Sequence, residues 1–101
     1  MAAATTAQAQ GPGAAAVLAL PADTAKVLKL SDLCYAYRRV DADSAMQFGN
    51  AALQLACKLH FKKGEAQACN DLAIIHIDKS DYETADSLLL RSLALRTLLK
   101  D

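Results

Sequence analysis

Tryptophan is missing from this chain of 101 residues, and aromatic residues of all kinds make up only 5% of it. Alanine and leucine dominate a hydrophobic share of 53%, a composition that favours helices over sheets. Net charge is also missing, because eleven basic residues meet eleven acidic ones. No overall field exists to hold the chain on nucleic acid or an anionic membrane. The three cysteines, Cys34, Cys57 and Cys69, are an odd number without a closely spaced pair, which excludes a disulfide framework and gives no zinc or redox spacing. Each sits among apolar residues and is expected to serve as a small buried hydrophobe. No apolar run reaches the 18 or so residues that span a bilayer. The length suits one folding unit, since two would each be too small to close a core.

What the chain does contain is helical periodicity, beginning after an uncharged, Ala-rich lead. Residues 1–21 carry Gly11-Pro12-Gly13 and are expected to be a disordered lead. Ala7-Gln8-Ala9 has the small-x-small form of a signal-peptidase site, so the lead is either the stump of an export signal or a plain Ala-rich tail. A periplasmic location follows from the first and a cytoplasmic one from the second. From residue 22 to 101 the expectation is one helical domain.

Asp23 is placed to cap a first helix whose face carries Val27, Leu30, Leu33, Cys34 and Tyr37. Asp41 or Asp43 then caps a second, with Ala45, Phe48, Ala52, Leu55, Ala56 and Leu59 on one side. Gly49 and Ala52 present so little side chain that a neighbouring helix can come close. A basic connector, His60-Phe61-Lys62-Lys63-Gly64, leads to a third helix burying Ala66, Cys69, Leu72, Ala73 and His76 or Ile77. Asp81 caps a fourth, with Ala85, Leu88, Leu89, Ser92, Leu95 and Leu99. Short connectors make neighbouring helices antiparallel.

The two halves of this pattern repeat. Ala45, Leu53, Leu55 and Leu59 recur 40 residues later as Ala85, Leu93, Leu95 and Leu99, and Asp32-Leu33 recurs as Asp71-Leu72 at an offset of 39. A simple four-helix bundle has no reason to repeat its small residues in register, whereas a repeat array does.

In the second half, Asn70-Asp71-Leu72-Ala73, His76, Ser80-Asp81-Tyr82, Ala85, Leu89 and Ser92 resemble the tetratricopeptide repeat pattern. His76 stands for its Tyr, Ser80 for its turn Gly and Ser92 for its second Ala. The first half is similar through Leu33, Cys34, Tyr37, Ala45 and Ala52. The resemblance implies an all-α fold of two stacked antiparallel helical hairpins, a right-handed solenoid of four helices with repeats at about 23–60 and 62–100. Asp23-Thr24-Ala25-Lys26-Val27, with Leu33, Tyr37 and Asp43-Ser44-Ala45, is also similar to the repeat segments ahead of the kinase in bacterial sensor histidine kinases. That similarity implies a sensory segment signalling to a catalytic part, and here no histidine sits in a phosphoacceptor context.

No residue pattern supports catalysis or a cofactor, and no metal ligand set is expected. Cys57 and His60 lie three apart, so they could share a metal in a free-standing bundle, but two further ligands have no source. The acids Asp41, Asp43, Asp78 and Asp81 fall at turns, where capping explains them. By the resemblance, the first helix of each unit lines a groove for a protein or peptide partner, with Leu28, Ser31, Asp32, Tyr35, Arg38 and Arg39 in the first unit. Their counterparts are Gln67, Asn70, Asp71, Ile74, Ile77 and Asp78. In this expectation Asn70 bonds a ligand backbone and Arg38 or Arg39 holds a carboxylate. Leucines left over on the last helix imply continuation into further repeats or self-association through that helix.

Overall fold

A computed structural model describes residues 16–100. Among them there is no strand, and four long helices follow a helical turn at 16–18. They are α1 (Thr24–Tyr37), α2 (Ala42–Lys58), α3 (Lys62–Asp78) and α4 (Tyr82–Lys100). Residues 1–15, which hold most of the expected lead and the Ala7-Gln8-Ala9 stretch, lie outside the described residues. The rest of the lead is placed: Val17 packs against the core, and the Leu18 carbonyl accepts a hydrogen bond from Lys26 Nζ at 3.1 Å.

Three of the four helices begin on an aspartate. Asp23 Oδ1 accepts from the Lys26 N–H, Asp41 Oδ1 from Ser44 and Asp81 Oδ1 from Thr84, each satisfying an amide that the helix itself leaves free. Asp41 and Asp81 are 40 residues apart, and their carboxyls are both held below the ordinary 3.8, first of all by the hydrogen bonds from Ser44 and Thr84. The third helix has no side-chain cap.

Helices α2 and α4 are each entered from a tight turn, and the turns that end α2 and α3 are the same motif. After α2, His60 N–H bonds Cys57 C=O and Phe61 N–H bonds Ala56 C=O; after α3, Ser80 bonds Ile77 and Asp81 bonds His76. This is the Schellman arrangement, in which one residue turns left-handed to close the helix. His60 and Ser80 are those residues, at φ 56° and 63°. The turn from α1 to α2 is built differently, with the N–H groups of Val40 and Asp41 both returning to Tyr37 C=O.

The core runs through α1, α2 and α3. Val27, Leu30 and Cys34 meet Ala45, Phe48, Ala52 and Ala56, with Ala68 and Ile75 from α3. Tyr37 and Phe48 join the first pair edge to face, their ring centroids 5.4 Å apart. Gly49 sits where three helices converge: a Cβ there would lie 2.6 Å from Leu72 Cδ2 and 2.9 Å from Cys34 Sγ. The expected basic connector is shorter than the sequence implied. Helix α3 already begins at Lys62, and Gly64 is buried in its first turn, where a Cβ would lie 2.7 Å from Val27 Cγ1. Gly64 serves helix packing there rather than chain reversal.

Each helix packs on the next, and α1 also packs on α3. Helix α4 makes substantial contact with α3 alone, fastened by Ser92 Oγ donating to Ala66 C=O at 2.9 Å and by Arg91 holding Glu65 at 2.7 Å. Among the described residues its far side stays uncovered, with Leu90, Leu93 and Leu98 about 60% exposed. Leu59, Leu89 and Leu99, expected on buried faces, are likewise exposed. No described helix is long and apolar enough to cross a membrane.

Substitutions at two positions separate these causes. Gly49→Ala gains about 1 kcal/mol of helix propensity but forces a methyl into Leu72 and Cys34, and overpacking of this kind costs about 1–3 kcal/mol. A net loss is expected, read as a lower thermal midpoint by circular dichroism. Ser80→Gly relieves a left-handed backbone and should stabilise by about 0.5–1 kcal/mol, while Ser80→Ala should bring no gain.

Candidate functional site

Because α1 and α3 lie side by side, the outward faces of both look onto a shared depression of about 290 Å³. Leu28, Ser31, Asp32 and Tyr35 line it from α1, and Gln67 and Asp71 from α3. The spacings 28, 31, 32, 35 and 67, 71 are those of single helix faces, so the period that builds the core also gathers these six on the faces beside it.

At its centre is a carboxylate withdrawn from water. Asp71 is 4% exposed. Its Oδ1 accepts from Gln67 Nε2 at 3.0 Å, while Oδ2 has no partner. Ser31, also 4% exposed, lies close enough to favour the charged carboxylate, yet its Oγ closes no hydrogen bond. Burial pushes the Asp71 carboxyl above the ordinary 3.8; Gln67 and Ser31 pull it down, Asp32 pushes it up, and Arg96 pulls it down again.

Gln67 is the hinge of this arrangement. Its Oε1 accepts from Arg96 Nη2 at 3.4 Å, and Arg96 Nε donates to Ser92 Oγ at 3.3 Å. One carboxamide thus joins α4 to Asp71, and its orientation is fixed because turning it over would break both bonds.

The other expected groove residues lie beyond the depression. Arg38 stacks over the Tyr35 ring with its guanidinium carbon 4.0 Å from the centroid and donates to the Tyr35 carbonyl, so it faces its own helix rather than a partner's carboxylate. Asn70 and Ile74 are half-buried, Ile77 is 41% exposed, and Arg39 and Asp78 are exposed. Sequence periodicity missed Ile75, the fully buried member of the Ile74-Ile75 pair, since adjacent isoleucines give a helical pattern two ways to settle. It also missed Arg96, whose part depends on a partner 29 residues away.

The cysteines divide. Cys34 and Cys69 are buried, and burial first, with the Asp71 charge second, raises the Cys34 thiol to about 12, which leaves it protonated and inert. Cys57 departs from the expected buried role: it is exposed near the end of α2, where Arg91 Nη2 lies 3.3 Å from its sulfur. Among the described residues, no cluster of three or more His, Cys, Asp or Glu side chains is placed to hold a metal. His76, half-buried, bonds Asp81 Oδ2 through Nδ1 at 3.2 Å, tying the end of α3 to the cap of α4. Comparison with protein-family models, curated proteins and solved structures finds no match.

Asp71 sets a measurable stability balance. Its folded-state carboxyl titrates above 3.8, so the folded protein loses stability as pH rises from 3.8 through that raised value. Asp71→Asn removes the cost of burying the charge, and should therefore stabilise the fold by about 1 kcal/mol and raise the melting midpoint at pH 7. The gain should shrink as pH falls and vanish below 3.8, as thermal melts at a series of pH values will show.

Proposed function

We propose that the chain is a helical-repeat interaction module of the tetratricopeptide kind, binding a polypeptide along the shared face of α1 and α3. The observation that carries this reading is the depression itself. The six residues around it, Leu28, Ser31, Asp32, Tyr35, Gln67 and Asp71, all belong to the positions at which the resemblance puts a ligand groove.

Three further features support it. A closed bundle would pack its first helix against its last, whereas α4 here packs substantially on α3 alone. The described structure measures 47 × 33 × 17 Å, and 17 Å is about the thickness of two packed helices, as in a row of hairpins laid side by side. Repeat-related positions also share local roles: Ala45 and Ala85 are buried, and Asp41 and Asp81 cap helices. Arrays of this type leave one helix of each hairpin on a surface suited to extended peptides.

Selection of random peptides displayed on phage against the full chain tests the reading. Peptides should emerge that lose binding to Tyr35→Ala and Gln67→Ala but keep binding to Glu83→Ala, which lies in the exposed first turn of α4. Selected peptides indifferent to Tyr35 and Gln67 would rule out this face.

A further inference from the structure

Two of the six groups lining the α1/α3 depression are carboxylates, and no cationic side chain lines it. Two arginines touch lining residues without themselves lining the depression: Arg38 lies on the ring and carbonyl of Tyr35, and Arg96 bonds Ser92 and Gln67 and draws the Asp71 carboxyl down from there. Asp71 is held by one oxygen and unpartnered at the other. A buried carboxylate with half of its hydrogen-bonding capacity unused is costly to keep, and a cation seated at the mouth of the depression would lessen the cost of its charge. Around this anionic floor stand Leu28, 42% exposed, and Tyr35, 51% exposed, one face of whose ring carries Arg38.

An anionic end beneath an apolar rim matches one kind of side chain closely, a charged head on a methylene stem. We propose that the depression takes a lysine or arginine side chain of a bound polypeptide, its head between Asp32 and Asp71 and its stem on Leu28 and Tyr35. This inference rests on the reading of the α1/α3 face as a polypeptide groove. An acidic side chain entering there would meet two carboxylates. An aliphatic one would strip water from the site and give Asp71 Oδ2 no donor. A divalent ion would find two carboxylates and little else, short of the six or more oxygens such ions collect. The surface also continues past the depression along α3, where Asn70, Ile74 and Ile77 follow one another at helical spacing and Ile77 is exposed. That strip offers contact to residues flanking the basic one, which a free amine would leave unused.

The test is an NMR titration of the full chain with capped pentapeptides, Ala-Ala-X-Ala-Ala, in which X is lysine, arginine, norleucine or glutamate. The lysine or arginine peptide should shift the Gln67 side-chain amide and Tyr35 ring signals saturably, and the other two should not. Asp71→Asn, a variant expected to fold more stably than the parent, should weaken that binding about tenfold or more, the scale of one hydrogen bond to a charged group. Equal shifts from norleucine, or undiminished binding by Asp71→Asn, would overturn the assignment of a cation. Butylammonium chloride binding as tightly as the lysine peptide would overturn the polypeptide as its source. The outcome separates from that of the groove itself: phage peptides that depend on Tyr35 and Gln67 yet lack lysine and arginine would leave the groove standing and remove the basic side chain from it.

Discussion

The closeness of α1 to α3 is the constraint on which this structure turns, and two glycines permit it. At Gly49 the helices α1, α2 and α3 come together so tightly that a single added carbon would touch both Leu72 and Cys34, and at Gly64 it would touch Val27. Helix pairs ordinarily stand 8–10 Å apart, the distance depending on the side chains between them. The stripe Ala45, Gly49, Ala52, Ala56 on α2 keeps that bulk to a minimum. Helix α2 then acts less as a wedge than as a bed, and α1 and α3 meet above it. The depression exists because their outer faces end up within one side chain's reach of each other.

Close packing and a buried acid pull stability in different directions at this junction. Alanines and the inert Cys34 thiol favour a firm interior, while immediately beside Leu72 the chain keeps Asp71, an acid whose carboxyl burial pushes up and whose second oxygen is unpartnered among the described residues. Buried ionisable groups with perturbed pKa values concentrate at functional sites, and an unsatisfied one in a core this small spends stability that alanine or asparagine would save. The related Asp32 is exposed, although it holds the same place in the first hairpin. The difference comes from neighbours: α3 is flanked by both α1 and α4, whereas α1 has α2 and α3 on one side only among the described elements.

Much of the helical architecture was legible in the residues. Asp23, Asp81 and the pair Asp41 and Asp43 announced three helix starts because capping is a local event, decided within three residues; which of the pair caps α2 needed the structure, and it is Asp41. The faces carrying Val27, Leu30, Cys34, Ala45, Phe48 and Ala52 could be read from period alone. Gly64 was less transparent, since glycine means a turn in some settings and close packing in others, and only the position of Val27 distinguishes them. Exposed Leu59, Leu89 and Leu99 show the limit of periodicity, which marks an apolar stripe without saying how wide a strip the neighbour covers. The site was visible in part. Spacing put Leu28, Ser31, Asp32 and Tyr35 on one face and Gln67 and Asp71 on another, but the bond between Gln67 and Arg96 and the unpaired oxygen of Asp71 are products of tertiary placement.

Gln67 carries one last implication. The first hairpin alone owns the apolar walls, the second alone owns the buried acid, and the amide that steadies the acid answers to a guanidinium on the final helix. The depression is therefore a property of the seam between α1 and α3 and not of either helix pair. Exchange either helix pair for another of equal fold and the depression would lose its apolar rim or its acid.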